Sequence, residues 1–282
     1  MIPLRFSFKV WPVDIEWAEL RDVWIVVDEG NAYDDAWLFD HFYRPRAGRR
    51  GGLLEAWTLL SSLAAVTKRL RLGVMVSCNT FRHPSLLAKM AATVDHVSEG
   101  RLDIGLGAGW HEEEHVAFGI DLPAANERWQ RLDEACAIVD GLLTQESFSF
   151  EGTHYRLHDA QPGLRPIQRP RPQIVIGGVG PRRTLPLVAR WADHWNYFSR
   201  EMTPADLRIR HDLLRRLCEE IGRDPGEIDV SVQLIYPGDP HAAAKTAAAY
   251  LEAGAGEILM SFSTPVTPGA VEACGEALTA LR

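Results

Sequence analysis

The sequence predicts an α/β fold closed as a (β/α)8 TIM barrel. Three observations carry this prediction. Short apolar runs of strand length recur eight times, segments of helical periodicity alternate with them, and 282 residues suit one such barrel. Residues 5–10 read as the first strand. After Asp14, an N-cap by residue type, Trp17, Leu20, Trp24 and Val27 recur at helical spacing. Residues 36–39 form a short apolar run that ends in Asp40-His41, and Trp57, Leu60 and Ala64 mark one side of a helix over 55–70. The third strand is expected at 72–76. Pro84 then opens a helix that Gly100 stops, with Leu87, Met90, Val94 and Val97 as its buried stripe. Residues 102–106 give the fourth strand, and Trp129, Leu132, Cys136, Val139 and Leu143 give a helix over 127–143.

The rhythm breaks once. Residues 148–150 and 154–157 flank Glu151-Gly152-Thr153 like a hairpin, and a stretch rich in Pro and Arg follows, so 144–172 reads as an insertion between strands four and five. Strands at 174–176, 194–198, 228–233 and 257–262 then alternate with helices near 182–191, 204–221, 241–252 and 268–281. The prediction is one barrel domain over 1–282, with an open doubly wound sheet as the competing arrangement.

Composition excludes several function classes. Thirty Lys and Arg against thirty-eight Asp and Glu give a net charge of -8, which opposes nonspecific binding to nucleic acid or anionic lipid. Cys78, Cys136, Cys218 and Cys274 are scattered without C-x-x-C spacing, as reduced thiols of a cytoplasmic protein would be. Arg5 and Lys9 interrupt the apolar start of the chain, so neither a signal peptide nor a membrane span is expected.

In a barrel of this kind the loops leaving the C-terminal ends of the strands build the active site. That rule selects Asp40 and His41, residues 77–83, residues 107–114, residues 177–180 and residues 195–198 at the sixth strand. Asp40-His41 sets a carboxylate beside an imidazole, a pairing suited to proton transfer near neutral pH, although the same dipeptide also caps loops. Gly177-Gly178-Val179-Gly180, followed by Pro181, Arg182 and Arg183, is a glycine-rich turn at a helix start. It suits a phosphate, or simply a tight turn. His111-Glu112-Glu113-Glu114-His115 matches H-E-x-x-H, the zinc-hydrolase pattern, but follows a strand end instead of lying within an amphipathic helix, and no third ligand is spaced for it. An acidic helix start explains it as well. Cys78 shows no thiolate-stabilising partner and reads as a small lining residue. Trp17, Trp24 and Trp57 read as outer-helix core, whereas Trp110 and Trp195 fall at active-face positions where they would wall a substrate pocket.

Four stretches together resemble the bacterial luciferase-like superfamily, in particular its coenzyme F420-dependent oxidoreductases. They are Trp37-Leu38-Phe39-Asp40-His41-Phe42, the block RLGVMVSCNTFRHPSLLAKMAATVDHVSEGRLDIGLGAGWHEEEHVAFGI over 71–120, FSFEGTHYRL in the hairpin, and PRPQIVIGGVGPRRTL over 170–185. The resemblance implies a deazaflavin or flavin ring across the barrel mouth and hydride transfer to or from a small organic substrate. Asp40 and His41 would stand near the ring, with Ser77, Cys78, Asn79, Gly107, Ala108 and Gly109 lining it. Gly177, Gly178, Val179 and Gly180 would receive the phosphate of its tail. It also implies a non-proline cis peptide at Met75-Val76, and commonly a homodimer. Relatives that oxidise sugar phosphates carry a glutamate directly after the strand-four glycines, where this chain has Trp110. A more apolar substrate is therefore expected, with His41 as the proton carrier and Glu113 as a second candidate. No metal is expected. The alternatives are an FMN-dependent monooxygenase fed by a separate reductase, a zinc hydrolase at His111 and His115, and a noncatalytic cofactor carrier.

Overall fold

The alternation closes on itself. In the computed structural model, which describes residues 4–42, 52–200 and 202–282, eight parallel strands form one barrel. They are β1 (Arg5–Trp11), β2 (Asp35–Leu38), β3 (Arg71–Cys78), β4 (Leu102–Gly107), β7 (Gln173–Gly177), β8 (His194–Phe198), β9 (Asp229–Ile235) and β10 (Glu257–Ser263). Pairing of β1 with both β2 and β10 completes the ring. β5 (Phe148–Glu151) and β6 (Arg156–Ala160) pair only with each other, as the insertion between the fourth and fifth barrel strands. Around the barrel lie α1 (Trp17–Glu29), α2 (Ala56–Val66), α3 (Pro84–Val97), α4 (Glu112–Phe118), α5 (Ala125–Thr144), α6 (Thr184–Trp191), α7 (Pro204–Glu220), α8 (Pro240–Leu251) and α9 (Pro268–Thr279). Among the described residues, no helix is long and apolar enough to cross a membrane.

Where element boundaries differ from the sequence expectation, side chains competing for backbone groups explain it. α2 ends at Val66, four residues early, because the Asp28 carboxylate accepts the N–H groups of Lys68, Arg69 and Leu70. The Arg101 guanidinium donates to the carbonyls of Ala64, Thr67 and Leu70, closing that helix end from outside. Asp14 is not the cap of α1, a position held by Glu16. Its carboxylate accepts from Gly52 N–H across the loop instead. In the insertion the second strand starts at Arg156 because Glu134 of α5 takes the N–H groups of Thr153, His154 and Tyr155.

Strand pleating sorts the residues into a shell and an interior. In β1, Phe6, Phe8 and Val10 pack outward against the helices, while Ser7 and Lys9 face inward. The interior is layered. At the N-terminal end lies a charged layer in which Ser7 bonds both Asp35 and Glu257, and Arg5 pairs with Glu257 and Asp229. Above it Trp37, Met75, Val175 and Leu259 form an apolar plug. Gly73 makes room for this plug, since a Cβ there would lie 2.4 Å from the Trp37 ring. Above the plug come Lys9, Asn196 and Gln233, which form the floor of the barrel mouth.

Candidate active site

The mouth holds a cavity of about 350 Å³, within the size range of small-ligand sites. Its walls are aromatic, with Trp11, Phe39, Phe81, Trp110 and Phe198 around a few polar groups.

Asp40 and His41 leave β2 together and do different work. Arg82 donates to both Asp40 oxygens at 2.5 and 3.0 Å, and Cys78 N–H adds a third bond at 2.8 Å. The carboxylate, 3% exposed, is thus committed to fixing the β3 loop and has no spare geometry for proton transfer. His41 lies beside the cavity and points Nδ1 at Glu114 Oε2, 2.8 Å away. The same oxygen lies 3.0 Å from Nδ1 of His111, and Phe42 N–H bonds the other oxygen. Burial alone would raise the Glu114 carboxyl, but the His41, Phe42 and His111 contacts outweigh it and hold the group below the usual glutamate range. An ionised carboxylate only accepts, so His41 presents Nδ1–H to Glu114 and keeps Nε2 for other work. The ring is steadied by Phe39 and Trp110 at centroid distances of 5.2 and 5.8 Å.

The buried acid is therefore Glu114 and not Glu113, which is exposed. One residue along a helix turns a side chain by about 100°. On α4 that rotation separates the solvent face from the cavity face, where Glu114 sits three residues after His111. The H-E-x-x-H pair does not converge on a common point either. Nδ1 of His115 donates to the His111 carbonyl at 2.8 Å, so its Nε2 accepts from Thr80 Oγ1 at 2.6 Å. Cys78 Sγ lies 3.0 Å from that hydroxyl. Burial pushes the Cys78 thiol up to about 11, which removes it as a nucleophile at neutral pH. Donor atoms of His41, His111 and Glu114 do lie within 4.8 Å of one another, the one group among the described residues able to offer a metal three ligands. Of these contacts, His41 Nδ1 to Glu114 Oε2 is a hydrogen bond, while His111 Nδ1 approaches the same oxygen to 3.0 Å.

The remaining predicted positions divide. Met75, Val76, Cys78, Gly107, Gly109, Gly177, Gly178 and Trp110 line the cavity, and the Met75-Val76 peptide is cis. Ser77 faces the helical shell, accepting from Trp57 Nε1 at 3.0 Å, because pleating sends it opposite to Val76. Asn79 bonds Tyr155 of the insertion, and Ala108 is buried off the cavity. Val179 and Gly180 lie beyond the rim, where Gly180 packs against Thr184 at the start of α6. Trp195 is a correction. It is fully buried, and its Nε1 donates to the Gly178 carbonyl at 2.7 Å, so it props the glycine turn from behind. Its strand neighbours Asn196 and Phe198 take the cavity side.

Sequence reasoning missed Lys9 and Gln233, and although the strand-end rule took in Arg82, Glu114 and Asn196, it gave none of them a role. For Lys9 the signal was present, since RFSFKVW alternates bulky apolar residues with Ser7 and Lys9 on the opposite face.

A flat ring system fits this mouth. Gly107 and Gly177 flank Val76 so closely that a Cβ on either would come within 2.4 and 3.0 Å of its methyl groups. Without side chains there, Val76 stands clear as an apolar wall facing the aromatic side. The turn at Gly178, with φ of 127°, leads to the start of α6, where an anionic tail could be received.

Comparison with known proteins agrees with this geometry. The sequence model of the luciferase-like monooxygenase family matches residues 13–273. An F420-dependent glucose-6-phosphate dehydrogenase of Kineococcus radiotolerans is 30% identical over 249 residues, 84% of this chain and 70% of that protein. The enzyme of the same name from Microbacterium testaceum is 36% identical over 184 residues, 65% of this chain, and the match spans about half (53%) of its length. An FMNH(2)-dependent dimethylsulfone monooxygenase of Pseudomonas putida is 31% identical over 161 residues, covering 57% and 43% of the two chains. Among solved structures, an F420-dependent secondary alcohol dehydrogenase in complex with an F420-acetone adduct superposes with a TM-score of 0.87 over 99% of both chains at 16% identity, a likeness of fold. The family match extends over nearly the whole barrel that carries this site, and the chain belongs to the luciferase-like monooxygenase family.

Proposed function

We propose that this protein is an F420-dependent oxidoreductase acting on a small, largely apolar alcohol or carbonyl compound, and that it works as one barrel unit over residues 1–282. The observation that carries the proposal is the His41–Glu114 pair opening onto an aromatic cavity. The names of the Kineococcus and Microbacterium relatives support the coenzyme. When bound, the deazaflavin supplies the two-electron chemistry by accepting or giving a hydride. The protein's own work is positioning, proton transfer and exclusion of water. His41 Nε2 takes the hydroxyl proton of an alcohol in one direction and returns it to a carbonyl oxygen in the other. Glu114 fixes the imidazole tautomer and balances the positive charge that appears on the ring. Phe39, Trp110 and Phe198 keep the reacting centre dry, and Val76 backs the coenzyme ring.

Trp110 stands where sugar-phosphate oxidisers of the family carry glutamate, and it turns an edge-to-face contact toward His41. This favours a substrate without a phosphate. Four cysteines outside any disulfide suit a reducing cytoplasm, and we take a homodimer as the working assembly, to be checked by light scattering. Calorimetric titration with F420 and with FMN tests the coenzyme. Binding of F420 together with turnover of a ketone or secondary alcohol is expected. Tight FMN binding with no F420 binding would replace the proposal by an FMN-dependent monooxygenase served by a separate reductase.

A further inference from the structure

Lys9 takes no part in the chemistry above, yet it occupies the floor of the cavity. It projects inward from β1, is 4% exposed, and donates from Nζ to the Met75 carbonyl at 2.7 Å and to Gln233 Oε1 at 3.2 Å. Both acceptors are neutral. Among the described residues no carboxylate lies within ion-pair distance of it, and the acids around the barrel interior are committed elsewhere. Asp40 is held by Arg82 and Glu114 by two histidines, while Asp35 and Glu257 bond Ser7 on the far side of the apolar plug. A buried charge without a counter-charge is costly, and an ammonium has three N–H groups of which two are used here. What remains is one donor and, on the protonated amine, one positive charge at the wall of a ligand cavity.

We propose that Lys9 makes the cavity floor an anion subsite, whose occupant is the anionic pyrimidine edge of the reduced deazaflavin ring. The proposal rests on the coenzyme reading given above. Reduction makes that edge acidic and spreads the resulting negative charge over a ring nitrogen and the adjacent carbonyl oxygen, and charge placed near this edge is a recognised means of tuning such cofactors. A single cation on the floor favours the reduced anion over the oxidised ring. Burial brings the Lys9 amine down to about 7, which accords with a group that lacks its counter-charge. Gln233 and the Met75 carbonyl hold the amine in place and leave the charge itself uncompensated.

The test is to measure dissociation constants of oxidised and reduced F420 on the wild type, Lys9→Met and Lys9→Gln. The preference of the wild type for the reduced form is expected to fall at least tenfold in both variants, a drop of about 30 mV in the potential of the bound two-electron couple. Oxidised coenzyme should bind within threefold of wild type. Equal losses for both forms would mean that Lys9 only props the Met75 carbonyl, and unchanged ratios would mean that it does not face the ring. Either result overturns the proposal. If the variants fail to fold, the wild type decides alone: its bound couple must lie above the free couple, and an unshifted or lowered potential refutes the subsite. A wild type that binds neither form refutes the coenzyme reading itself, and with it this occupant.

Discussion

Replacing Glu114 by Gln should disable proton transfer while leaving the coenzyme site in place. The buried Glu114 side chain accepts from His41 and from Phe42 N–H, and His111 Nδ1 lies 3.0 Å from its Oε2. If the amide keeps its oxygen on Phe42 N–H, its NH2 group faces the His41 N–H donor, and His41 must change tautomer to meet it. Nε2 then carries the hydrogen in the neutral ring and can no longer take one from an alcohol. The charge is lost as well. Two unit charges about 4 Å apart in surroundings of effective dielectric about 20 interact by about 4 kcal/mol. His41 is 19% exposed, and solvent screening trims this to about 3 kcal/mol, a factor of about 10² in rate. Lost tautomer control adds to that, and comparable buried acid-to-amide changes behind a catalytic histidine cost about 10⁴-fold. We therefore expect kcat to fall by about 10² to 10⁴, with F420 affinity within threefold of wild type. The assay is single-turnover bleaching of coenzyme absorbance with a secondary alcohol that the wild type oxidises. A rate within fivefold of wild type would refute the assignment of Glu114 as the partner of His41.

Other perturbations follow from the same contacts. Arg82→Met leaves Asp40 buried without its counter-charge and should destabilise the fold by about 3–5 kcal/mol, read from urea midpoints. Gly107→Val would drive a side chain into Val76 and should weaken coenzyme binding more than tenfold, with far-UV circular dichroism preserved. Lys9→Met should change the pH dependence of stability. The folded amine titrates at about 7 and the unfolded one near 10.5, so between those values the unfolded chain holds more protons and wild-type stability rises with pH. The stability of wild type relative to the nontitrating variant should therefore grow from pH 7 toward pH 10; a constant difference would contradict this. Zinc added in equal amount should be lost on dialysis, and His115→Ala should leave that outcome unchanged, because His115 is engaged by Thr80 and the His111 carbonyl.

The barrel was legible because strand length, helical period and loop signals agree along the chain, and closure follows once eight such units are counted. Boundaries were less so. The early end of α2 depends on Asp28 and Arg101, which lie far from it in sequence, and no local pattern announces them. At the site, chain position alone brought Asp40, His41 and the glycines to the mouth, and the family resemblance added Val76. Their roles depended on contacts between strands: Asp40 turned out to be spent on Arg82, forty-two residues away, and the choice between Glu113 and Glu114 hung on the rotational phase of a single turn of α4. Trp195 was misplaced for a related reason, since a strand of five residues gives alternation but not which parity faces inward.

The apolar plug of Trp37, Met75, Val175 and Leu259 has a consequence for traffic through the barrel. It offers no chain of polar groups along which a proton could hop, so protons exchanged by His41 have to come and go by the mouth. An electric field is under no such restriction, and a layer of low polarisability transmits it better than water would. Lys9 lies two residues beyond Ser7 on the same strand, about 7 Å along it. The ionisation state of the Asp35 and Glu257 layer can therefore reach the reaction chamber as potential while remaining closed to it as a source of protons.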